Sequence, residues 1–321
     1  MRRMLTELLT LPLARPFAIA RGTRTAVAVI RVTLEQDGFI GHGECTPTPR
    51  YNESVESVHA QLNAMKEAIE AGLSRQALQT ELSAGAARNA LDCALWRLDA
   101  ARAKKTLWQQ AALSAPPSVV TAETLSLDSV EKMADAAQDA VSRGALLLKI
   151  KLDREAIVEK VAAIRAVAPD ATLIVDANEA WSGLDRPPLF AALLPYRIAM
   201  IEQPLPAGAD AVLQHIAHPI PLCADESCHT RSDIAALRDR YEMINIKLDK
   251  CGGLTEALAM VDEAKKQGMR LMVGCMLGSS LAMEAALLVT PQAEHVDLDG
   301  PIWLAADSSP FLSYLQGRIW L

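Results

Sequence analysis

Short apolar segments that each end in an ionisable residue recur along this chain, and this repeat constrains the fold more than any other feature. The five central positions lie 22 to 27 residues apart: Lys149, Asp176, Glu202, Asp225 and Lys247. One strand, one turn and one crossover helix occupy about that much chain. With a strand before this series and two after it, at 120–125, 270–274 and 295–299, the pattern predicts an α/β barrel of eight βα units whose last helix is poorly defined.

The segment Leu147–Asp153 carries two lysines, Lys149 and Lys151. In a strand this spacing places both side chains on one face. Four apolar residues precede the two lysines and only Leu152 follows them. The lysines therefore lie at the carboxyl end of the strand, where α/β folds have their active sites. Solvated lysines at a strand edge are the alternative for one pair alone, but the repeated ionisable strand ends favour a shared site.

The first third of the chain has a different pattern. Alternating apolar residues flank Asp37-Gly38, which predicts an antiparallel meander, and helices follow over 54–71 and 86–104. Pro116-Pro117 then marks a boundary. We therefore expect an α+β domain over 1–116, a barrel domain over 117–299 and a segment over 300–321 that returns to the N-terminal domain.

Charge and cysteine content exclude several classes of protein. A net charge of -7 and a pI near 5.5 argue against nucleic acid or an anionic membrane as partners. The six cysteines form no CxxC pair, which favours buried thiols in a reducing compartment. No apolar run is suitable as a signal peptide or membrane span, so the expected location is cytoplasmic.

Three carboxylates end three consecutive strands: Asp176, Glu202 and Asp225. At one register they can converge on a single point, and oxygen ligands of this kind suit a hard divalent cation, most plausibly one Mg²⁺. Each acid taken alone could instead be a solvated strand end or a helix cap.

Lysines flank this candidate metal site on both sides. Lys151 and Lys247 belong to the second and sixth strands and should face each other across the cation. That arrangement suits removal of a proton from one face of a carbon and its return to the other, through an enolate that the cation stabilises. Lys149 either assists Lys151 or forms a salt bridge with a neighbouring carboxylate.

Several motifs resemble the enolase superfamily in its muconate-lactonising subgroup. They are Lys149-Ile150-Lys151, Asp176-Ala177-Asn178, Glu202-Gln203-Pro204, Asp225-Glu226-Ser227 and Asn245-Ile246-Lys247 followed by Gly252-Gly253. Within that subgroup the chain is similar to bacterial L-Ala-D/L-Glu epimerases, through Gly43-Glu44-Cys45-Thr46-Pro47, Gly85–Asp92, Cys223–Ser232 and Asp297-Leu298-Asp299-Gly300-Pro301.

The resemblance implies a (β/α)₇β barrel, that is a modified TIM barrel, with an N-terminal α+β capping domain. It implies Mg²⁺ ligation by Asp176, Glu202 and Asp225, and acid/base catalysis by Lys151 and Lys247. Candidate substrate contacts are Asp297 and Asp299 for an α-ammonium, Arg24 for a side-chain carboxylate, and Lys149. The residues expected to support the metal ligands and Lys247 are Asn178, Glu226 and Asp249.

The function so implied is epimerisation of the C-terminal residue of dipeptides such as L-Ala-D/L-Glu, in turnover of cell-wall peptides. Alternatives are o-succinylbenzoate synthase or cycloisomerase activity in the same superfamily, or a barrel that binds metabolites without catalysis. The sequence leaves a homo-oligomer open. The Pro187-Pro188 and Gly278–Ser280 segments bear on the breadth of substrates accepted.

Overall fold

The computed structural model describes all of residues 1–321. It opens with an antiparallel meander of three strands in the order β1, β2, β3: β1 (Arg2–Ile19), β2 (Gly22–Gln36) and β3 (Phe39–Cys45). The turn between β2 and β3 places Asp37 and Gly38 at positive φ, the backbone form that the Asp-Gly pair predicts. This confirms the expected hairpin.

Four helices follow the meander: α1 (Val55–Glu70), α2 (Arg75–Glu81), α3 (Ala86–Arg102) and α4 (Leu107–Gln110). Ser54 begins α1 with a capping box that it shares with Ser57. Helix α3 lies directly on β3, because a Cβ at Gly41 or Gly43 would stand within 2.2 Å of an α3 carbonyl oxygen. The meander and the first three helices share a core of 17 buried residues, whereas Leu107 of α4 belongs to the 55-residue barrel core.

Eight parallel strands form the second part of the molecule. In sheet order they are β5 (Ala122–Leu125), β6 (Leu147–Lys151), β7 (Thr172–Asp176), β8 (Ile198–Glu202), β9 (Leu222–Ala224), β10 (Met243–Ile246), β11 (Arg270–Gly274) and β12 (His295–Asp297), preceded by a short β4 (Ser118–Val120). Hydrogen bonds link the first and last strands: the Thr124 amide donates to Asp299 (2.8 Å) and the Leu298 amide to Thr121 Oγ1 (3.0 Å). The sheet therefore closes into a near-barrel.

Seven crossovers connect these strands. Their helices are α5 (Val130–Ser142), α6 (Ile157–Val167), α7 (Arg186–Leu193), α8 (Arg231–Leu237), α9 (Leu248–Cys251), α10 (Leu254–Gln267) and α11 (Ser280–Ala286). The crossover after β8 has only a 3₁₀ turn, Ala211–His215. Pro187 and Pro188 lie in the first turn of α7, where proline is tolerated. The only helical segment after β12 is a 3₁₀ turn, Gly300–Trp303, so the eighth α-helix is missing and the (β/α)₇β prediction is confirmed.

The C-terminal segment corrects one expectation. Its first part does contact β1: the Phe17 and Trp303 rings lie 4.7 Å apart, and the Ala305 amide donates to Pro12. Its last strands, β13 (Ser313–Leu315) and β14 (Arg318–Trp320), instead join β4 in a three-stranded sheet. They do so because Ile319 is buried in the barrel core. The return of all of 300–321 to the N-terminal domain was therefore wrong, and the domain boundaries stay a prediction.

None of the helices is both long enough and apolar enough to span a membrane.

Candidate active site

The ionisable strand ends meet at one end of the barrel. Strand pairing aligns Lys151 with Asp176 and Asp176 with Glu202, so these residues form a row across β6, β7 and β8. Asp225 follows β9 and Lys247 follows β10. All five side chains are buried. The structure thus brings together the residues predicted as metal ligands and as acid/base catalysts.

The lysines and carboxylates of this row form ion pairs. Lys149 Nζ lies 2.8 Å from both Glu202 Oε2 and Asp297 Oδ2, and 3.1 Å from Asp176 Oδ2. Lys151 Nζ lies 2.6 Å from Asp176 Oδ2, and Lys247 Nζ lies 2.7 Å from Asp225 Oδ2. Of the two alternatives for Lys149, the structure shows the salt bridge.

Burial and charge act in opposite directions on these groups. Burial alone would lower the pKa of Lys149, but three carboxylates outweigh it and hold that pKa well above its usual value. Burial would likewise raise the pKa of Asp176, yet Lys151 and Lys149 keep it below its ordinary range. Lys149 and Asp176 therefore remain charged at neutral pH, whereas burial and the neighbouring Asp176 raise the pKa of Glu202.

The donor set around this row fits a hard cation. Carboxylates from three adjacent strands supply oxygen alone, as Mg²⁺ prefers. Four buried side-chain oxygens accept no well-formed hydrogen bond, and they belong to Asn178, Glu202, Asp225 and Asn245. Two of them, Glu202 Oε2 and Asp225 Oδ1, nevertheless lie close to lysine ammonium groups. In this structure lysines bridge the carboxylates, and no three His, Cys, Asp or Glu side chains are arranged as a metal cluster. We therefore treat Asp176, Glu202 and Asp225 as candidate ligands.

A cavity of about 340 Å³ opens above this row. The barrel contributes the amines of Lys149, Lys151 and Lys247 to its wall, and the N-terminal region contributes the β1–β2 turn and residues 48–51. A concave space of this size with a few convergent polar groups is typical of a small-molecule site.

Asp297 and Asp299 stand together on one wall of the cavity. Asp297 pairs with Lys149, whereas Asp299 Oδ2 accepts hydrogen bonds from the Thr124 amide (2.8 Å) and Trp303 Nε1 (3.2 Å). Burial and the neighbouring Asp297 raise the pKa of Asp299 to about 6. The pair is suited to bind a cationic group.

Arg24 reaches the same cavity from the N-terminal region. Its side chain is exposed and forms no hydrogen bond or ion pair within the protein. The neighbouring Arg21 is engaged: it donates to the Asn178 carbonyl (3.0 Å) and to Glu226 Oε1 (2.9 Å). Arg24 is therefore the arginine of this turn that remains available for a ligand carboxylate.

The residues expected to support the site separate into two groups. The Asn178 amide donates to Asp176 Oδ1 (2.8 Å), and Glu226 lies beside Asp225 with a pKa that burial and Asp225 raise to about 7. Asp249 differs from the expectation. Its carboxylate accepts from the Thr46 amide (3.0 Å) and Asn89 Nδ2 (2.9 Å) in the N-terminal region, because the chain turns into α9 directly after Lys247.

The sequence analysis missed several residues around the site. Asn245 Nδ2 donates to Glu202 Oε1 (2.8 Å), Lys250 contacts Asp225, and Arg50 forms a two-bond ion pair with Glu179. Lys250 directly follows Asp249 in the sequence, as a solvated charged residue would, so the sequence carries no signal for its burial.

Comparisons with known proteins place the chain in a family. Residues 5–110 match the mandelate racemase / muconate lactonizing enzyme N-terminal domain, and residues 132–315 match the enolase C-terminal domain-like family. L-Ala-D/L-Glu epimerase of Escherichia coli K12 is 52% identical over 310 residues, 97% of each chain. N-acetyl-D-glutamate racemase of a Pseudoalteromonas species is 41% identical, covering 91% of this chain and 92% of its own.

Solved structures agree with this assignment. An enolase family member from Agrobacterium tumefaciens with homology to dipeptide epimerases, with bound sodium and L-Ala-L-Glu, has a TM-score of 0.96 at 45% identity, over 100% of this chain and 98% of its own. A dipeptide epimerase of Enterococcus faecalis, complexed with Mg and L-Leu-L-Tyr, has a TM-score of 0.91 at 28% identity, over 99% and 96%.

The chain belongs to the enolase superfamily, in its mandelate racemase and muconate lactonizing group. Within that group it is an isomerase, since the relatives of high identity are epimerases and racemases.

Proposed function

We propose that this protein is a Mg²⁺-dependent epimerase that inverts the α-carbon of the C-terminal residue in dipeptides such as L-Ala-D/L-Glu. One observation carries the proposal. Lys151 and Lys247 line the same cavity from strand positions four apart, and the three candidate metal ligands occupy the strands between them. Binding alone would need neither paired amines nor converging acids.

The two lysines supply the proton transfers of this reaction. The amine of one takes the α-proton from one face of the substrate, and the ammonium of the other returns a proton to the opposite face. When bound at Asp176, Glu202 and Asp225, Mg²⁺ would supply the positive charge that stabilises the enolate. Lys149 adds a fixed positive charge beside the same carboxylates.

Two groups of residues in the cavity wall suit a dipeptide that has a free amine and an acidic side chain. Asp297 and Asp299 would bind the α-ammonium, and the unpaired Arg24 would bind a glutamate side-chain carboxylate. The relatives named for L-Ala-D/L-Glu or bound to L-Ala-L-Glu are consistent with this substrate. A role in turnover of cell-wall peptides is part of the proposal.

N-acylglutamate racemisation is the second candidate, because a 41% identical relative is named N-acetyl-D-glutamate racemase. Its substrate would carry no ammonium for Asp297 and Asp299 to bind. The two acids on the cavity wall therefore favour the dipeptide.

Solvent exchange tests the reaction. We expect the protein with Mg²⁺ in D₂O to remove the NMR signal of the glutamate α-proton in L-Ala-L-Glu, with EDTA stopping the loss. N-acetyl-L-glutamate should exchange far more slowly, and a faster rate would favour the second candidate. Lys151→Ala and Lys247→Ala should each abolish net inversion. The control, Lys160→Ala, replaces a buried lysine on α6 and should leave inversion intact. No exchange in the wild type would reject the proposal.

A further inference from the structure

Lys250 is a buried lysine that the proposed reaction does not use. It lies on α9, three residues after Lys247, and its side chain is only 1% exposed. It does not line the 340 Å³ cavity, so it has no access to a substrate there. A desolvated ammonium group is costly unless its protons and charge are fully compensated, so its surroundings indicate what it holds in place.

Three backbone carbonyls surround the Lys250 ammonium. Its Nζ lies 2.5 Å from the carbonyl oxygen of Asp225, 2.8 Å from that of Cys228 and 3.0 Å from that of Asn245. An ammonium group has three protons, and these three acceptors use all of them. Lys250 thereby joins the loop after β9 to the end of β10.

The same ammonium group also fixes the Asp225 side chain. Asp225 Oδ1 lies 2.6 Å from Lys250 Nζ, while Oδ2 accepts a hydrogen bond from Lys247 Nζ at 2.7 Å. Burial would raise the pKa of Asp225, but these two lysines hold it well below its usual value. The Asp225 amide donates to Gln203 Oε1 (2.8 Å), so Asp225 is constrained through its amide, its carbonyl and its carboxylate.

We propose that Lys250 is the positioning residue of the divalent-cation site: it holds the backbone and the carboxylate of Asp225 where that carboxylate can bind the cation. This rests on the proposed function, which makes Asp225 a metal ligand. Like charge opposes cation binding, but the three carbonyl dipoles offset much of the ammonium charge. Loss of Lys250 would remove one donor from each of those carbonyls and loosen the loop that carries Asp225.

Magnesium titration of the whole, EDTA-treated protein by calorimetry tests this role. We expect Lys250→Met to weaken Mg²⁺ binding by about 10- to 100-fold, as loss of groups that support metal ligands does. Saturating Mg²⁺ should restore most of kcat, which separates Lys250 from the catalytic lysines. Lys160→Met is the matched control: Lys160 is also buried and ion-paired, 3.1 Å from Asp153, but lies on α6, and its loss should leave Mg²⁺ affinity unchanged.

The outcomes distinguish the two proposals. Unchanged or tighter Mg²⁺ binding by Lys250→Met, in a wild type that binds Mg²⁺, would overturn the positioning role alone. A wild type that binds no Mg²⁺ would overturn both this role and the metal in the proposed function. If Lys250→Met does not fold, Lys250→Gln, which keeps two donors without the charge, should show weakened binding, and wild-type affinity there would equally reject the role.

Discussion

Two of the contacts between the N-terminal region and the barrel differ in burial. In the α3 contact, Arg88 donates to the carbonyl oxygens of Cys251 (2.6 Å) and Gly252 (3.2 Å), and Asp92 accepts from the amide and hydroxyl of Thr255 (2.8 and 2.6 Å). In the turn contact, Arg21 and Arg50, 36% and 35% exposed, pair with Glu179 and Glu226.

This difference in burial gives the two contacts different strengths. Buried, fully hydrogen-bonded charges are costly to separate from their partners, whereas exposed ion pairs contribute about 1 kcal/mol or less. The α3 contact therefore fixes the N-terminal region on the barrel, behind the segment that carries Lys247 and Lys250. In the turn contact, solvent partly reaches the two arginines, although Glu226 is buried and the Glu179 side chain is only 9% exposed.

The largest expected effect is on the α3 contact itself. Arg88→Met should lower the free energy of unfolding by about 3 kcal/mol or more, because four carbonyl oxygens lose this donor and two of those hydrogen bonds are buried. Arg50→Met should lower it by less than about 1 kcal/mol, since that ion pair is partly exposed. Urea unfolding of both variants measures the difference, and equal losses would contradict the distinction between the contacts.

A matched pair of glycines tests how tightly the α3 contact is packed. Gly252 has a φ of +82°, and an added Cβ would stand 2.3 Å from Arg88 Nε; Gly268 has a φ of +69° with nothing within 4 Å. Gly252→Ala should lower the free energy of unfolding by about 2 to 3 kcal/mol, because it strains the backbone and displaces Arg88. Gly268→Ala should cost about 1 kcal/mol, from strain alone. Similar thermal shifts in the two variants would show that Arg88 moves aside freely.

The most gradual effect, at most about 1.4 kcal/mol per pH unit, is a pH dependence. Burial raises the pKa of Asp92 to about 6, despite its hydrogen bonds from Thr255. The folded protein thus binds more protons than the unfolded chain between about pH 4 and 6, so this group costs stability as pH rises through that window. A shift of about two pKa units amounts to about 3 kcal/mol, and this cost is complete above about pH 7.

Asp92→Asn should remove that contribution. The difference in unfolding free energy between wild type and variant should change between pH 4 and 6 and stay flat from pH 7 to 8. Taking the difference cancels the contributions of Asp176 and Asp225, whose lowered pKa values act in the opposite direction. A difference that does not vary with pH would mean that Asp92 ionises normally.

The barrel row could be predicted because local pattern and fold geometry agree there. Alternation within a strand sets the face of Lys149 and Lys151, and parallel strands bring their carboxyl ends to one edge. Once the βα repeat is recognised, no further information is needed to place Asp176, Glu202 and Asp225 together.

The α3 contact could not be predicted in the same way. The apolar positions of α3 predict the helix and the face that packs on the meander. Arg88, Asp92 and Trp96 lie on the other side of the helix. Charged residues such as Arg88 and Asp92 usually indicate a solvent-exposed face, yet this face is buried against the barrel. Likewise, Lys250 is recognised as a buried group only when the carbonyls of 225 and 228 are known to surround it.

The in-register row across β6, β7 and β8 limits how this chain can change in evolution. Side chains alternate between the two faces of a strand, so inserting or deleting one residue between Leu147 and Lys149 would turn Ile150 inward and both lysines outward. Length changes are tolerable only in the loops beyond the strand ends and in the β1–β2 turn. Lineages that diverge in the molecules they accept can therefore remodel the rim while the proton-transfer apparatus keeps its spacing.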